Sequence, residues 1–142
     1  MKTFITPFFT AILIISASAF AKAETDPSLL ATADNSVHVY IETITKGNVT
    51  HVNELFSKQF RHNTNANGKV ITHSKEQVIG FIKGHQNVKQ NCSTSYTVLE
   101  QSGDYSVAKV EMKYRDFTKI DYVTLSREGA DWKVNQVVTT YE

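Results

Sequence analysis

A carboxylate placed among apolar side chains is the clearest chemical opportunity in this chain, and strand parity locates one. Tyr105–Arg115 separates into Ala108, Val110, Met112 and Tyr114 on one face and Lys109, Glu111, Lys113 and Arg115 on the other. Such alternation marks a strand with one buried and one solvated face. In the next strand Val123 and Leu125 define the inward set, and the same parity carries Asp121 inward. If Gly129-Ala130 forms a two-residue turn, Glu128 opposes Asp131. Leu125 then faces Val134, Val123 faces Gln136 and Asp121 faces Val138, so Trp132, Val134, Gln136 and Val138 form the inward set of the last strand. A two- or four-residue turn after Arg115 puts Tyr114 on the face of Asp121, as its close neighbour.

An acid so placed either accepts hydrogen bonds at the edge of the core or opens into a cavity, where burial raises its pKa towards that of a working general base. Tyr40, on the apolar stripe of the first helix, can point into the same space, and His62 is the histidine that comes nearest to it. Tyr96, Tyr114 and Trp132 either stack on a planar ligand or fill core volume, and Met112 shares the inner face. No second inner acid accompanies Asp121. The five histidines, His38, His51, His62, His73 and His85, form no H-x-H, H-x-x-x-H or H-E-x-x-H pattern, so no metal is expected. There is no G-x-S-x-G and no phosphate-binding glycine loop, so no cofactor is expected either.

The elements that must position these groups come helices first and strands afterwards, the order of an α+β domain. Leu30, Ala33, Val37, Tyr40, Ile41 and Ile44 recur at helical spacing and predict a helix from about Pro27 to Lys46, closed by Gly47. Asn48 can cap a short second helix carrying Val52, Leu55 and Phe56. Lys58–Thr64 and Lys69–Thr72 read as short strands around the Asn65–Gly68 turn cluster. Ser74 with Gln77 forms a capping-box pattern opening a third helix, with Val78, Phe81 and Ile82 inward and an end near Gly84. Four strands follow: Ser93–Gln101, Tyr105–Arg115, Lys119–Arg127 and Asp131–Tyr141.

The 142 residues fit one domain behind a leader. Met1-Lys2-Thr3, the apolar run Phe4–Ala17 and two small-residue A-x-A sites predict a signal peptide over 1–21, cleaved after Ala21 or Ala23. The domain then spans 22–142, exported to the periplasm or the medium and free of the membrane after cleavage. Cys92 is the sole cysteine, so neither an internal disulfide nor lipidation at the cleavage site is available, and a buried thiol is expected. Removing Lys2 from the 15 basic residues leaves 14 against 14 acidic ones. With no basic block, nucleic acid is not an expected partner. Asn48-Val49-Thr50 and Asn91-Cys92-Ser93 match the glycosylation pattern, which matters only in a eukaryotic secretory pathway.

Two stretches carry a family resemblance. One is Tyr40-Ile41-x-x-Ile44 with Gly47-Asn48 and Leu55-Phe56; the other is Asp121-Tyr122-Val123-x-Leu125 followed by Gly129-x-x-Trp132-Lys133-Val134. With the element order, they make the chain resemble the nuclear transport factor 2-like superfamily, which includes ketosteroid isomerase, scytalone dehydratase and SnoaL-type polyketide cyclases. The local match is to a small exported bacterial branch named for lumazine binding. The resemblance implies a cone-shaped, cystatin-like α+β barrel: three helices on a strongly curved, mostly antiparallel sheet of about six strands, with a conical space able to hold a ligand. Many relatives dimerise through the outer sheet face, where Tyr122, Val137 and Tyr141 are expected here. Because this fold serves many functions, three expectations stand. The first is binding of a small apolar or aromatic molecule in the cone by Tyr40, His62, Tyr96, Met112, Tyr114, Asp121 and Trp132, without catalysis. The second is a homodimeric interaction module with no ligand. The third is a dehydratase or isomerase using Asp121 as general base.

Overall fold

The computed structural model describes residues 28–142. The leader, both cleavage sites and the expected helix start at Pro27 lie outside the described residues. The first helix, α1, spans Ala33–Lys46. Its N-cap is Thr32, whose Oγ1 accepts the Asn35 N–H at 3.1 Å. Leu30 is buried yet precedes the helix, held in a turn where Ser28 Oγ accepts its N–H at 3.1 Å. The apolar stripe therefore runs past the helix end. Gly47 closes α1 in the left-handed region, φ 63°, and its N–H reaches the Glu42 carbonyl.

Next come α2 (Val52–Leu55), β1 (Phe56–Ala66), β2 (Lys69–Ser74), α3 (Lys75–Gly84), β3 (Ser93–Ser102), β4 (Tyr105–Lys113), β5 (Thr118–Glu128) and β6 (Asp131–Tyr141). His51, not Asn48, is the N-cap position of α2; the Asn48 side chain accepts the Thr50 N–H at 3.1 Å instead. The full capping box of Ser74 and Gln77 opens α3. On that helix Ile79 and Ile82 are buried, whereas Phe81, expected inward, is 66% exposed. The helix leans chiefly on β1 and β2, and Phe81 lies at the edge of that support with its ring 4.3 Å from that of His85.

The six strands form one sheet in the order β2-β1-β6-β5-β4-β3, antiparallel except where β1 meets β6. The three helices cover one face of this curved sheet. Two bonds fasten α1 and the turn before it to β6: Ser36 Oγ donates to the Trp132 carbonyl at 2.8 Å, and the Trp132 N–H donates to the Leu30 carbonyl at 2.7 Å.

Register decides the face of every residue in the last strand. Glu128 opposes Asp131 and Leu125 opposes Val134, as turn counting predicts. The next pair is Thr124 with Gln136, so Asn135 is an extra residue and β6 bulges. Beyond the bulge Val123 faces Val137 and Asp121 faces Thr139. Gln136 and Val138 therefore leave the inner face, and Val137, expected outside, is buried. Of the three outward residues foreseen, only Tyr122 keeps its place; Tyr141, paired with Lys119, turns with Val137 and Thr139 to the face of Asp121, at its exposed end.

Candidate functional site

The inner face presents a row across the sheet: Thr64 on β1, Thr139 on β6, Asp121 on β5, Val110 on β4 and Tyr96 on β3. Asp121 is fully buried, and three donors surround its carboxylate. Tyr40 Oη donates to Oδ2 at 2.8 Å, Lys119 Nζ donates to Oδ2 at 3.1 Å, and Thr139 Oγ1 donates to Oδ1 at 2.6 Å. A buried carboxylate needs such partners to offset its lost hydration. Burial first, then the Asp121 charge and hydrogen bond, push the Tyr40 phenol well above its ordinary pKa, so it remains a donor.

The chain of contacts continues to His62, whose Nε2 lies 2.8 Å from Thr139 Oγ1. A threonine hydroxyl has one proton, and here it goes to Asp121. His62 must therefore donate through Nε2–H, which leaves Nδ1 as the basic nitrogen of the neutral ring. Burial lowers the pKa of His62; the Asp121 charge opposes that, while Lys119 and His73 add to the lowering. His73 is the direct cross-strand partner of His62, with ring centroids 5.9 Å apart.

Beside this network lies a cavity of about 470 Å³, bounded by α1, α3, β1, β2 and the end of the α3–β3 connection. Its apolar wall includes Ile44, Phe56, Phe60, Val78, Ile82 and Val137; its polar groups include Tyr40, His62, His73 and Lys119. The volume suits a small-molecule site. Gly47 helps to floor it: a Cβ there would stand 2.5 Å from the His85 carbonyl oxygen and 2.7 Å from the Asn87 nitrogen.

Of the seven residues singled out in sequence, the structure places Tyr40 and His62 in the cavity wall and Asp121 directly behind it. Met112 and Trp132 are buried in the core. Tyr114 shares the face of Asp121, but its hydroxyl donates to Gln90 and its ring stacks on Phe117, so Tyr40 takes the role expected of it. Burial, Cys92 and Asp121 push the Tyr114 phenol up to about 12. Tyr96 donates to Asp34 and meets His38 edge-on, tying β3 to α1 away from the cavity.

Three polar residues of the site were missed, two in the cavity wall and one in the network behind it. Lys119 was legible, since it shares the parity of Asp121. His73 could have been found by counting across Asn67-Gly68, whose positive φ values of 51° and 73° make the two-residue turn that opposes His62 to His73. Thr139 was hidden by the bulge. Among the described residues no three of His, Cys, Asp and Glu converge on a point that would hold a metal ion.

This geometry, a curved six-stranded sheet wrapped on three helices around an internal cavity, defines a nuclear transport factor 2-like domain. The family described as "Putative lumazine-binding" matches residues 29–141, and the chain belongs to that family. No curated protein matches the chain in sequence. Solved structures similar to it include a nuclear transport factor 2-like protein of unknown function from Silicibacter pomeroyi, 15% identical, covering 77% of this chain and 92% of that one with a TM-score of 0.65. Another, from Shewanella baltica, is 16% identical, covers 77% and 90%, and has a TM-score of 0.60. A cystatin-like fold protein from Burkholderia xenovorans is 15% identical, covers 82% and 93%, and has a TM-score of 0.61. At these identities the likeness is one of fold.

Proposed function

We propose that the domain is exported and binds a small apolar or aromatic molecule in its cavity, without transforming it. The observation that carries this reading is the cavity of about 470 Å³ whose wall is largely apolar and aromatic. Membership of a family described by lumazine binding supports a small-molecule role. The carboxylate speaks for binding over catalysis. Both oxygens of Asp121 are held by donors and the residue does not line the cavity, so the carboxylate is not presented to an occupant as a general base.

Titration with phenylnaphthylamine, an uncharged aromatic fluorophore, tests the reading. Saturable binding that Val78→Trp abolishes is the expected result, because Val78 lines the cavity and an indole there intrudes on the space a probe of this size needs. Binding unaffected by Val78→Trp in a folded protein places the probe elsewhere and defeats the proposal.

A further inference from the structure

The cavity is asymmetric in charge as well as in polarity. Its lining contains Lys119, His62, His73 and His85 but no aspartate or glutamate, although the chain has 14 acidic residues against 15 basic ones. The acid that neutralises Lys119 sits behind the wall. Asp121 receives one proton of the Lys119 ammonium, and its remaining acceptor capacity faces Tyr40 and Thr139. An ammonium has three protons, and among the described residues Lys119 has no second acceptor. His62 has committed Nε2–H to Thr139. Its Nδ1 and the imidazole of His73, ring centroids 5.9 Å apart, complete the polar side. On the helix side Ile44, Val78, Phe81 and Ile82 are apolar, and Thr43 and Gln77 add only uncharged polar groups.

We propose that the occupant of this cavity is an apolar or aromatic molecule carrying one ionised acidic group, and that this group lies against Lys119, His62 and His73. The inference rests on the small-molecule reading above and adds the chemistry of the ligand. A neutral molecule of the same shape leaves the spare Lys119 protons without an acceptor in a partly desolvated wall, which disfavours it. An anion accepts them and stabilises the imidazolium of His62, so binding takes up a proton. The charged and titratable groups that face His62 are Asp121 and Lys119 from β5 and His73 from β2. Burial keeps the free His62 neutral at pH 7, so the coupled proton arrives with the ligand and affinity rises as pH falls.

Two probes of one aromatic skeleton separate the possibilities. Anilinonaphthalene sulfonate carries a permanent negative charge; phenylnaphthylamine carries none. Fluorescence titrations of the mature wild type, Lys119→Met, His73→Gln and His62→Gln, between about pH 5.5 and pH 8.5, are compared with thermal melts to confirm folding. The sulfonate is expected to bind wild type at least about tenfold more tightly than the amine, the worth of one charge-assisted hydrogen bond. Lys119→Met should lose about that factor for the sulfonate and stay within about twofold for the amine. His73→Gln provides the same discrimination should Lys119→Met fail to fold. Sulfonate affinity should rise towards acid pH in wild type and lose most of that slope in His62→Gln. Equal affinity for the two probes, with neither basic variant discriminating between them, overturns the acidic-ligand proposal and leaves the cavity reading intact. Binding of neither probe defeats both.

Discussion

Asp121→Asn keeps the shape of the side chain and removes its charge, and the network dictates how the protein must respond. The native carboxylate accepts two hydrogen bonds at Oδ2, from Tyr40 and Lys119, and one at Oδ1, from Thr139. An asparagine offers one oxygen and one amino group. Its oxygen belongs where two donors converge, beside Tyr40 and Lys119, so the amino group points at Thr139. Thr139 Oγ1 then accepts, and its own proton must find another acceptor. His62 Nε2 is 2.8 Å away and can serve only by giving up its hydrogen, so the ring switches to the Nδ1–H tautomer. Hydrogen bonds to a charged group contribute about 1.5–3 kcal/mol and neutral ones about 0.5–1.5, so weakening three of them loses about 3 kcal/mol. Relief from burying a carboxylate returns part of this, and a net loss of about 2 kcal/mol is expected. Urea unfolding followed by the fluorescence of Trp132, the sole tryptophan, measures it as a midpoint lowered by about 1 M for a typical slope. Nitrogen NMR of the imidazoles reads the tautomer. A loss below about 0.5 kcal/mol, or a His62 that keeps Nε2–H in the variant, would refute the account of Asp121 as the hub of the network.

Three further outcomes follow from individual contacts. Gly47→Ala combines a left-handed backbone with a methyl group 2.5 Å from the His85 carbonyl oxygen, so it should cost about 2–4 kcal/mol in urea unfolding. His62 has its pKa lowered by burial, so the unfolded chain binds its proton more readily than the folded one. Its contribution is complete above the unfolded value of 6.5 and is lost as pH falls through the lower folded value; His62→Gln should flatten stability against pH in that acid window. Tyr114, raised to about 12, favours the folded state while neutral, so its contribution is complete below 10.0 and is lost as pH rises through about 12. Tyr114→Phe should remove one tyrosinate absorbance step near that upper value from the alkaline titration.

Strand parity and turn chemistry determined much from sequence alone. The alternation in Tyr105–Lys113 and the Gly129-Ala130 turn were enough to place Asp121 inside and to pair Leu125 with Val134, and the helical stripe of the first helix with the strand runs gave the order of elements. These signals are local: a period of two and a turn of known length need no knowledge of distant contacts. The capping box at Ser74 and the glycine cap at Gly47 were legible for the same reason.

What tertiary structure alone decided is where parity breaks and which partners cross between elements. Asn135 has no turn signature, yet it adds the residue that turns Val137 and Thr139 inward. A bulge answers to curvature of the whole sheet, which no window of sequence contains. Tyr40 and Asp121 are far apart in the chain, as are His62 and Thr139, and each pair meets only because α1 packs on β5 and β6 while β1 pairs with β6. The parallel β1–β6 pairing likewise joins strands from opposite ends of the domain. The residues that line the cavity were in part readable one by one; their assembly into a buried carboxylate hub with a basic, acid-free wall depended on long-range packing.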